Sequence, residues 1–157
     1  MHFREYRESD VEAMSRLDEE CFTTPFQFDR EMMREFAEAP EAIVILVEDD
    51  DTAKLIGFII VHIEEAADHS YAYVVTIDVV ESLRRTGIGG ALLDWAEQAA
   101  RSAGMLQIAL HVAVDNLSAI HFYERQHYQR IGLAKRFYRE AGLDALVFAK
   151  SLDESVS

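Results

Sequence analysis

The segment ESLRRTGIGG, residues 81–90, limits the folds open to this chain more than any other feature. It follows YAYVVTIDVV (71–80), which is rich in β-branched and aromatic residues, as strands are. It precedes a segment in which apolar residues recur at helical spacing. The glycines therefore lie at a strand-to-helix junction. At such a junction backbone N–H groups lack partners and the helix dipole attracts anions.

Two familiar phosphate motifs do not fit this segment. A dinucleotide fingerprint would need glycine at Leu92, and a P-loop needs a lysine that is missing here. What remains is Arg84, two residues, Gly87, one residue and Gly89. Glycine lets a ligand approach the backbone, and successive N–H groups can form an anion-binding nest to which arginines add charge-assisted hydrogen bonds. The alternative is an ordinary glycine-rich turn with solvated arginines, and the pattern alone does not decide.

Length and composition favour one globular domain without a membrane segment. The chain has 157 residues, of which 50% are apolar, so we assign one domain to 1–152 and a short tail to 153–157. The longest apolar run, 55–63, is too short to span a bilayer, and the N-terminus is charged. We therefore expect a cytoplasmic protein. Its single cysteine, Cys21, excludes a disulfide framework, and its net charge of -14 argues against nucleic-acid binding.

The periodicity of the whole chain predicts the element order βααββ–βαβαββ. The expected strands are 2–7, 42–48, 55–65, 71–80, 106–114, 128–135 and 145–151, with a loop RFYREAGLD between the last two. Asp10 and Asp29 are the expected caps of the first two helices, and the third helix runs to about Ala103. The order predicts an α/β chain with a mixed, mostly antiparallel sheet.

The pattern Arg84-x-x-Gly87-x-Gly89 after a strand, followed by Asn116 and then by Tyr123, resembles the GNAT N-acetyltransferase superfamily. The element order is similar to the GNAT fold over essentially the whole chain. Three further segments, EECFTTPF, DNLSAIHFYERQHY and FYREAGLDALVF, resemble the RimI-like branch that acetylates protein N-terminal amines. The resemblance implies a central sheet with splayed strands, flanked by about four helices.

The resemblance implies that the glycine turn binds the pyrophosphate of acetyl-CoA. A polyanion needs many donors, and a glycine turn at a helix N-terminus supplies them. The backbone of 77–79 would pair with the pantetheine arm in the slot between strands 71–80 and 106–114, and an N–H near Val79 would stabilise the oxyanion. Asn116 would also bind the pantetheine, or else only cap a helix. The expected cofactor-binding residues are Ile77, Asp78, Val79, Arg84, Arg85, Thr86, Gly87, Ile88, Gly89, Gly90, Asn116 and Tyr123.

Tyr123 and His111 are the expected catalytic residues. A phenol with a pKa of about 10 can protonate a departing thiolate whose pKa is about 8.5, although Tyr123 could instead be a core aromatic. RimI-like proteins usually carry a glutamate, the proposed general base, where this chain has His111. An imidazole with a pKa of about 6.5 suits a base, and the alternative is a structural histidine. Asp78 acting through a water is a less favoured base.

The resemblance also implies where the acceptor lies. Tyr138 matches a family tyrosine that helps to hold the peptide backbone, and Phe22, Pro25 and Phe26 would form the opposite wall. The alternative for these residues is a satellite hydrophobic cluster under a loop. His127 stands where the family usually has glycine, and no role is assigned to it.

The expected activity is transfer of an acetyl group from acetyl-CoA to the N-terminal α-amine of a protein or peptide, by direct attack on the thioester. The alternatives are acetylation of a small amine, such as a polyamine, amino acid or aminoglycoside, and a non-catalytic acyl-CoA sensor. An open groove between 22–28 and 136–143 favours a peptide, and a pocket closed at both ends favours a small amine. We expect no metal, no nucleic acid, no membrane contact, and a monomer or homodimer.

Overall fold

A computed structural model of the protein describes residues 1–153, in which helices cover both faces of one seven-stranded sheet. The strands are β1 (His2–Glu5), β2 (Ile43–Glu48), β3 (Leu55–Glu65), β4 (Ser70–Val79), β5 (Gln107–Ala113), β6 (Gln129–Tyr138) and β7 (Leu143–Ser151). The α-helices are α1 (Val11–Cys21), α2 (Arg30–Ala37), α3 (Ile88–Ser102) and α4 (Leu117–Arg125). The predicted order of helices and strands is confirmed.

The sheet order is β1-β2-β3-β4-β5-β7-β6, and β4–β5 is the one parallel pair among the described strands. The predicted mixed, mostly antiparallel sheet is therefore confirmed. Two hairpins, β2–β3 and β6–β7, and the β3–β4 connection account for much of the antiparallel pairing. The helix α3 lies between β4 and β5 in the chain and so forms the crossover that a parallel pair requires.

The parallel pairing of β4 with β5 is very short. It joins Ala72 to Ile108 and Tyr73 to Ala109, although β4 continues to Val79 and β5 to Ala113. The two strands therefore diverge beyond this ladder, as the resemblance implied. A bulge in β4 at Val75 accompanies the divergence, because Ile60 pairs with Thr76 while Val61 pairs with Val74.

Two hydrophobic clusters fill the two sides of the sheet. The side of α1 and α2 buries Val11, Met14, Leu17, Met33, Leu46, Phe58 and Ile60. The side of α3 and α4 buries Leu92, Leu93, Ala96, Ile108, Leu110 and Phe148 among others. Their removal from water is the main driving force for this layered arrangement.

A buried polar network connects α3 to the part of the sheet formed by β6 and β7. The Glu97 carboxylate, on α3, accepts hydrogen bonds from Tyr128 Oη at 2.8 Å and from Lys150 Nζ at 2.9 Å. Both carboxylate oxygens therefore have donors in an interior where unpaired charge is costly.

Two local predictions need correction. Asp10 does not cap α1 with its side chain, because its carboxylate accepts hydrogen bonds from Arg7 N and from the Arg4 guanidinium at 2.7–2.8 Å. The segment 136–138 is not a loop, because β6 continues to Tyr138 after an irregularity at Arg136, whose φ is 50°. Residues 154–157 of the predicted tail lie outside the described part of the chain. The Asp29 cap is confirmed, with Met32 N donating to Asp29 Oδ1 at 2.8 Å.

We predict that Gly57→Ala destabilises the protein. Gly57 lies on β3 opposite Val79, and an added Cβ would lie 3.0 Å from the Asp78 carbonyl oxygen and 3.2 Å from Leu92 Cδ1. The backbone oxygen cannot yield without moving β4, so the free energy of unfolding should fall by about 1–3 kcal/mol. Urea unfolding monitored by circular dichroism measures the change.

Gly132→Ala is the matched control for this variant. Gly132 also lies in a strand, but the nearest atom to its added Cβ is 3.9 Å away, an ordinary contact. Its free energy of unfolding should stay within about 0.5 kcal/mol of the wild type. Equal unfolding midpoints for the two variants would contradict the close approach of β3 and β4 at Gly57.

Candidate active site

The turn before α3 leaves several backbone donors without acceptors. Gly87 is the N-cap and has φ of 94°, a left-handed conformation that glycine adopts without strain. The helix begins with Ala91 N donating to Gly87 O at 3.0 Å, and no side chain caps it. The N–H groups of 88–90 therefore have no acceptor among the described residues and are free to bind an anion.

Two arginines lie in the same exposed turn. Arg84 Nε donates to the Val79 carbonyl at 3.2 Å, and Arg85 has φ of 66°. Thr86 Oγ1 donates to Leu83 O, which closes the turn. The predicted set Arg84, Arg85, Thr86, Gly87 and Ile88 is thus brought together beside the unpaired amides. A pyrophosphate fits this chemistry, because both the amides and the guanidinium groups are donors to phosphate oxygens.

Gly89 and Gly90 have a second physical reason to be glycines. A Cβ at Gly89 would lie 3.3 Å from the Phe122 ring, and one at Gly90 would lie 3.2 Å from Gln126 Nε2. Phe122 lies on α4 and Gln126 directly follows its last residue, so the two glycines allow α3 to approach the C-terminal part of α4 closely. The motif in the sequence pointed only to ligand approach, and helix packing could not be deduced from it.

The backbone of β4 presents polar groups to the gap between β4 and β5. Val80 N donates to Ile56 O at 2.9 Å, so residues 78 and 80 direct their N–H and C=O groups toward β3. By alternation, the N–H and C=O groups of Ile77 and Val79 face the opposite edge, where β5 has diverged. Ile77 and Val79 therefore have the orientation that the predicted pairing with a pantetheine arm requires.

Tyr73 and His111 form a hydrogen-bonded pair at the point where the strands diverge. Tyr73 Oη and His111 Nδ1 are 2.7 Å apart, and the Phe137 ring stacks on the imidazole at 3.9 Å between centroids and 5° between planes. Tyr138 Oη also donates to His111 O at 3.4 Å. His111 is thus held by three aromatic side chains on the face of the sheet that carries α1 and α2.

The surroundings of this pair keep both groups neutral near pH 7. Burial lowers the pKa of His111 from its usual 6.5, so the imidazole is unprotonated at neutral pH. Burial raises the pKa of Tyr73 well above its usual value, so the phenol keeps its proton. In the tautomer in which His111 Nδ1–H donates to Tyr73 Oη, Nε2 has a free lone pair that can accept a proton.

Tyr73 and Phe137 are the site residues that the sequence did not single out. In the sequence, Tyr73 counted only as a residue that favours strands. Its contact with His111 arises from the parallel register of β4 with β5, which the sequence does not show. Phe137 fell in a segment predicted as a loop. Both are aromatic residues in segments that become neighbours of His111 in the sheet. A single sequence does not show which strands are adjacent, so it does not reveal these contacts.

Tyr123 lies deep in the core. It is 7% exposed, and its ring contacts Phe122, Tyr128 and Phe148 at centroid distances of 5.0–6.5 Å. Burial raises the pKa of its phenol well above the usual value, so it holds its proton. The core-aromatic alternative is therefore realised in the structure, and a role as proton donor stays a prediction.

Asn116 is a helix cap in this structure. Its Oδ1 accepts a hydrogen bond from Ala119 N at 3.2 Å, while the residue itself is exposed. The cap uses only the oxygen, so the side-chain NH₂ can still donate to a ligand. Binding of the pantetheine by Asn116 stays a prediction.

Asp78 does not line the gap. Its side chain is 1% exposed, accepts a hydrogen bond from Thr76 Oγ1 at 2.6 Å, and contacts Asp18 of α1. Its carboxyl is therefore buried away from the gap, and a role for Asp78 as a base through a water stays a prediction. Its backbone also faces β3 and not the gap.

The two predicted acceptor walls meet. Phe26, in the turn Thr24–Phe26, and Tyr138 contact each other edge to face with ring centroids 5.0 Å apart. Phe22 is half-buried and Pro25 is exposed on the same loop. His127 is exposed beyond α4 with φ of 71°, which explains why glycine suits this position.

Residues 1–153 contain neither a candidate metal centre nor a candidate membrane-spanning helix. They contain no group of three or more His, Cys, Asp or Glu side chains arranged to hold a metal ion. None of the helices in this range combines the length and apolar character needed to cross a membrane.

Residues 11–128 match the acetyltransferase (GNAT) family. The chain belongs to this family. It is 26% identical over 145 residues to N-alpha-acetyltransferase 50 of Danio rerio, covering 91% of this chain and 83% of the relative. It is 27% identical over 160 residues to an N-alpha-acetyltransferase of Sulfurisphaera tokodaii, covering 95% and 92%. The crystal structure of Arabidopsis thaliana NAA60 in complex with a bisubstrate analogue has a TM-score of 0.82 at 24% identity, covering 96% of this chain and 97% of that one.

Family membership and the observed sheet confirm the predicted GNAT fold. They also confirm the predicted enzyme class, an acetyl-CoA-dependent N-acetyltransferase. The exposed turn before α3 has the donors that such a cosubstrate requires, which links the family to a particular place in this chain.

We predict that replacing both Arg84 and Arg85 with alanine weakens acetyl-CoA binding. A ligand that binds only the native state raises the melting temperature, and loss of two charge-assisted contacts reduces that rise. Differential scanning fluorimetry with and without acetyl-CoA measures it. Arg130→Ala, an exposed arginine on β6, should keep the full rise. If the double variant keeps the wild-type rise in melting temperature, the two arginines do not bind the phosphates.

Proposed function

We propose that this acetyltransferase transfers the acetyl group to the α-amine of a protein or peptide N-terminus. The observation that carries the proposal is the neutral Tyr73–His111 pair at the opening between β4 and β5. It provides a base of modest strength beside a gap that backbone donors of β4 face. The similarity to N-alpha-acetyltransferases supports the same acceptor.

The strength of the base selects the acceptor. An α-amine has a pKa of about 7.7–8.0, whereas a lysine amine has a pKa of about 10.4. At neutral pH a useful fraction of α-amines is already unprotonated, and an imidazole can remove the remaining proton. It is a poor base for a lysine side chain. His111 as the base therefore favours an N-terminal amine over an internal lysine.

The chain also supplies donors for the two negative charges that the reaction develops, on the carbonyl oxygen and on the departing thiolate. Bound acetyl-CoA provides a thioester carbonyl that the unprotonated amine attacks. The N–H of Val79, directed into the gap, would stabilise the negative charge that develops on the carbonyl oxygen. Tyr123 would protonate the departing thiolate, since its buried phenol keeps its proton at neutral pH.

The remaining site roles belong to the same proposal. Arg84, Arg85, Thr86 and the amides of 87–90 would bind the pyrophosphate, and the Asn116 NH₂ with the backbone of Ile77 and Val79 would bind the pantetheine arm. Phe22, Pro25, Phe26 and Tyr138 would hold the acceptor. A RimI-like placement, a single domain spanning 1–152, a cytoplasmic location, and a monomer or homodimer without nucleic-acid or membrane partners complete the proposal.

A small amine is the second candidate acceptor, and one observation favours it. The contact between Phe26 and Tyr138 bridges the two walls that an open peptide groove would keep apart. A peptide requires one of these rings to move, whereas a short amine does not. The ring of Phe26 is on a loop and is the more easily displaced, which is why we retain the peptide as the first candidate.

A peptide-library acetylation assay read by mass spectrometry tests the proposal. The library varies the first two residues, and parallel reactions contain a polyamine, an amino acid and an aminoglycoside. Acetylation confined to peptide N-termini is the expected result. Acetylation of the small amines alone would favour the second candidate. Binding of acetyl-CoA without turnover of any amine would leave the non-catalytic sensor.

We predict that His111→Ala lowers kcat/KM by about 10²-fold, because general-base catalysis is lost. In the wild type, kcat/KM should fall at low pH with the protonation of both the amine and His111. Because burial lowers the pKa of His111, its limb lies below the usual 6.5. The alanine variant should keep only the limb of the amine. His111→Glu, the residue usual in the family, should recover part of the activity.

Tyr73→Phe should cause a smaller loss of kcat/KM than His111→Ala, because it removes only the partner of Nδ1. Tyr71→Phe, two residues earlier on β4, is the control and should resemble the wild type. If both His111→Ala and Tyr73→Phe show wild-type rates and an unshifted pH profile, the Tyr73–His111 pair has only a structural role.

We predict that Tyr123→Phe lowers kcat while the dissociation constant of acetyl-CoA stays nearly unchanged. The hydroxyl acts when the thiolate leaves, so its loss affects the transition state and not ground-state binding. Stopped-flow turnover and calorimetric titration separate the two effects. Because the ring contacts in the core remain, the variant should fold; wild-type kcat would rule out Tyr123 as the proton donor.

A further inference from the structure

Two carboxyl groups are buried together between α1 and β4. Asp18 is 0% exposed and Asp78 is 1% exposed. Asp18 Oδ2 accepts a hydrogen bond from Phe28 N at 2.7 Å, and Asp78 Oδ1 accepts one from Thr76 Oγ1 at 2.6 Å. The two side chains lie within hydrogen-bonding reach of each other.

Each carboxyl has one oxygen without a donor. Within residues 1–153, Asp18 Oδ1 and Asp78 Oδ2 are fully buried and have no hydrogen-bond partner. Two ionised carboxylates in contact would combine mutual repulsion with the cost of burying two charges. One proton shared by the two carboxyls removes the repulsion and supplies the donor that the pair lacks.

None of the groups around the pair neutralises its negative charge in place of this proton. Arg84 is the cation that acts on Asp78, but its Nε donates to the Val79 carbonyl and its side chain is exposed. Cys21, on α1, also donates to Val79 O, and burial raises the pKa of its thiol. Glu19, the neighbour of Asp18, adds a negative charge that disfavours ionisation further. Tyr123, from α4, is a neutral phenol.

We propose that Asp18 and Asp78 share one proton and that the protonated pair positions the acceptor loop. The bond from Phe28 N to Asp18 fixes the end of the loop 22–28, and the bond between the carboxyls fixes α1 to the cofactor strand β4. Phe26 of this loop contacts Tyr138, which contacts His111. The consequence for acceptor binding rests on the proposed function; the tether itself does not.

The pair should make the loop sensitive to alkaline pH. Burial and the facing carboxyl raise the pKa of Asp78 well above its unfolded value of about 3.9. The folded state therefore holds a proton that the unfolded state releases. Its contribution to stability is complete below the unfolded pKa and is lost as the pH rises through the folded pKa. This alkaline limb is opposite in direction to the acidic limb of His111.

Hydrogen exchange at the Phe28 amide tests the tether directly. In the wild type, the protection factor of Phe28, corrected for the intrinsic rate, should fall about tenfold or more as raising the pH removes the shared proton. In Asp78→Asn it should change less than about twofold, because the amide Nδ2 donates permanently to Asp18 Oδ1 and the amide oxygen accepts from Thr76. The melting temperature should follow the same two patterns.

Two further variants complete this test. Asp29→Asn changes an exposed carboxyl at the start of α2 and should keep the wild-type pH dependence. Asp78→Ala leaves Asp18 buried without a donor and should lose Phe28 protection already at neutral pH. Asp78→Asn with a wild-type alkaline fall, or with lost protection at neutral pH, would overturn the shared proton.

Steady-state kinetics tests the positioning role. In the wild type, KM for the acceptor peptide should rise about tenfold across the alkaline range while kcat changes little, since the loop binds the acceptor and the base is unaffected. Asp78→Asn should abolish the rise. A fall in kcat with constant KM would overturn the positioning role. If no peptide is acetylated, the proposed function fails, whereas the exchange experiment still decides the shared proton.

Discussion

The short parallel ladder between β4 and β5 is the constraint on which the site depends. A longer ladder would pair the backbone groups of Ile77 and Val79 with β5 and leave no slot for a ligand. The ladder ends at Tyr73 and Ala109, and His111 lies two residues beyond it. The Tyr73–His111 hydrogen bond therefore spans the gap where it is narrowest. His111 is held at a fixed position between two strands that are otherwise free to diverge.

Most of the fold could be predicted because its determinants are local. The alternation of apolar residues in β5 and the glycine turn before α3 are visible within ten residues of sequence. The partners of His111 were not visible, since Tyr73 is separated from it by 38 residues and meets it only through the parallel register. Phe137 was hidden for another reason. Arg136, with a positive φ, interrupts the alternation of β6, so a strand resembled a loop.

Asp78 shows how far alternation can be trusted. Alternation along β4 places Asp78 on the opposite face from Ile77 and Val79, but it does not show that α1 covers that face. A carboxyl between apolar neighbours in a strand normally suggests that the side chain faces solvent or belongs to a functional site. Here its partner is a second carboxyl, Asp18, in a helix whose apolar spacing gave no sign of the pairing. Contacts between a helix and a distant strand are determined by tertiary packing, which one sequence does not encode locally.

The close approach of α3 and α4 at Gly89 and Gly90 links the evolution of two parts of the chain. A side chain at Gly89 must be accommodated by Phe122, on the helix that also carries Tyr123, and one at Gly90 by Gln126, which directly follows that helix. A lineage that enlarges either glycine has to reshape α4 at the same time. The geometry of the glycine turn before α3 and the position of the buried tyrosine are therefore physically coupled.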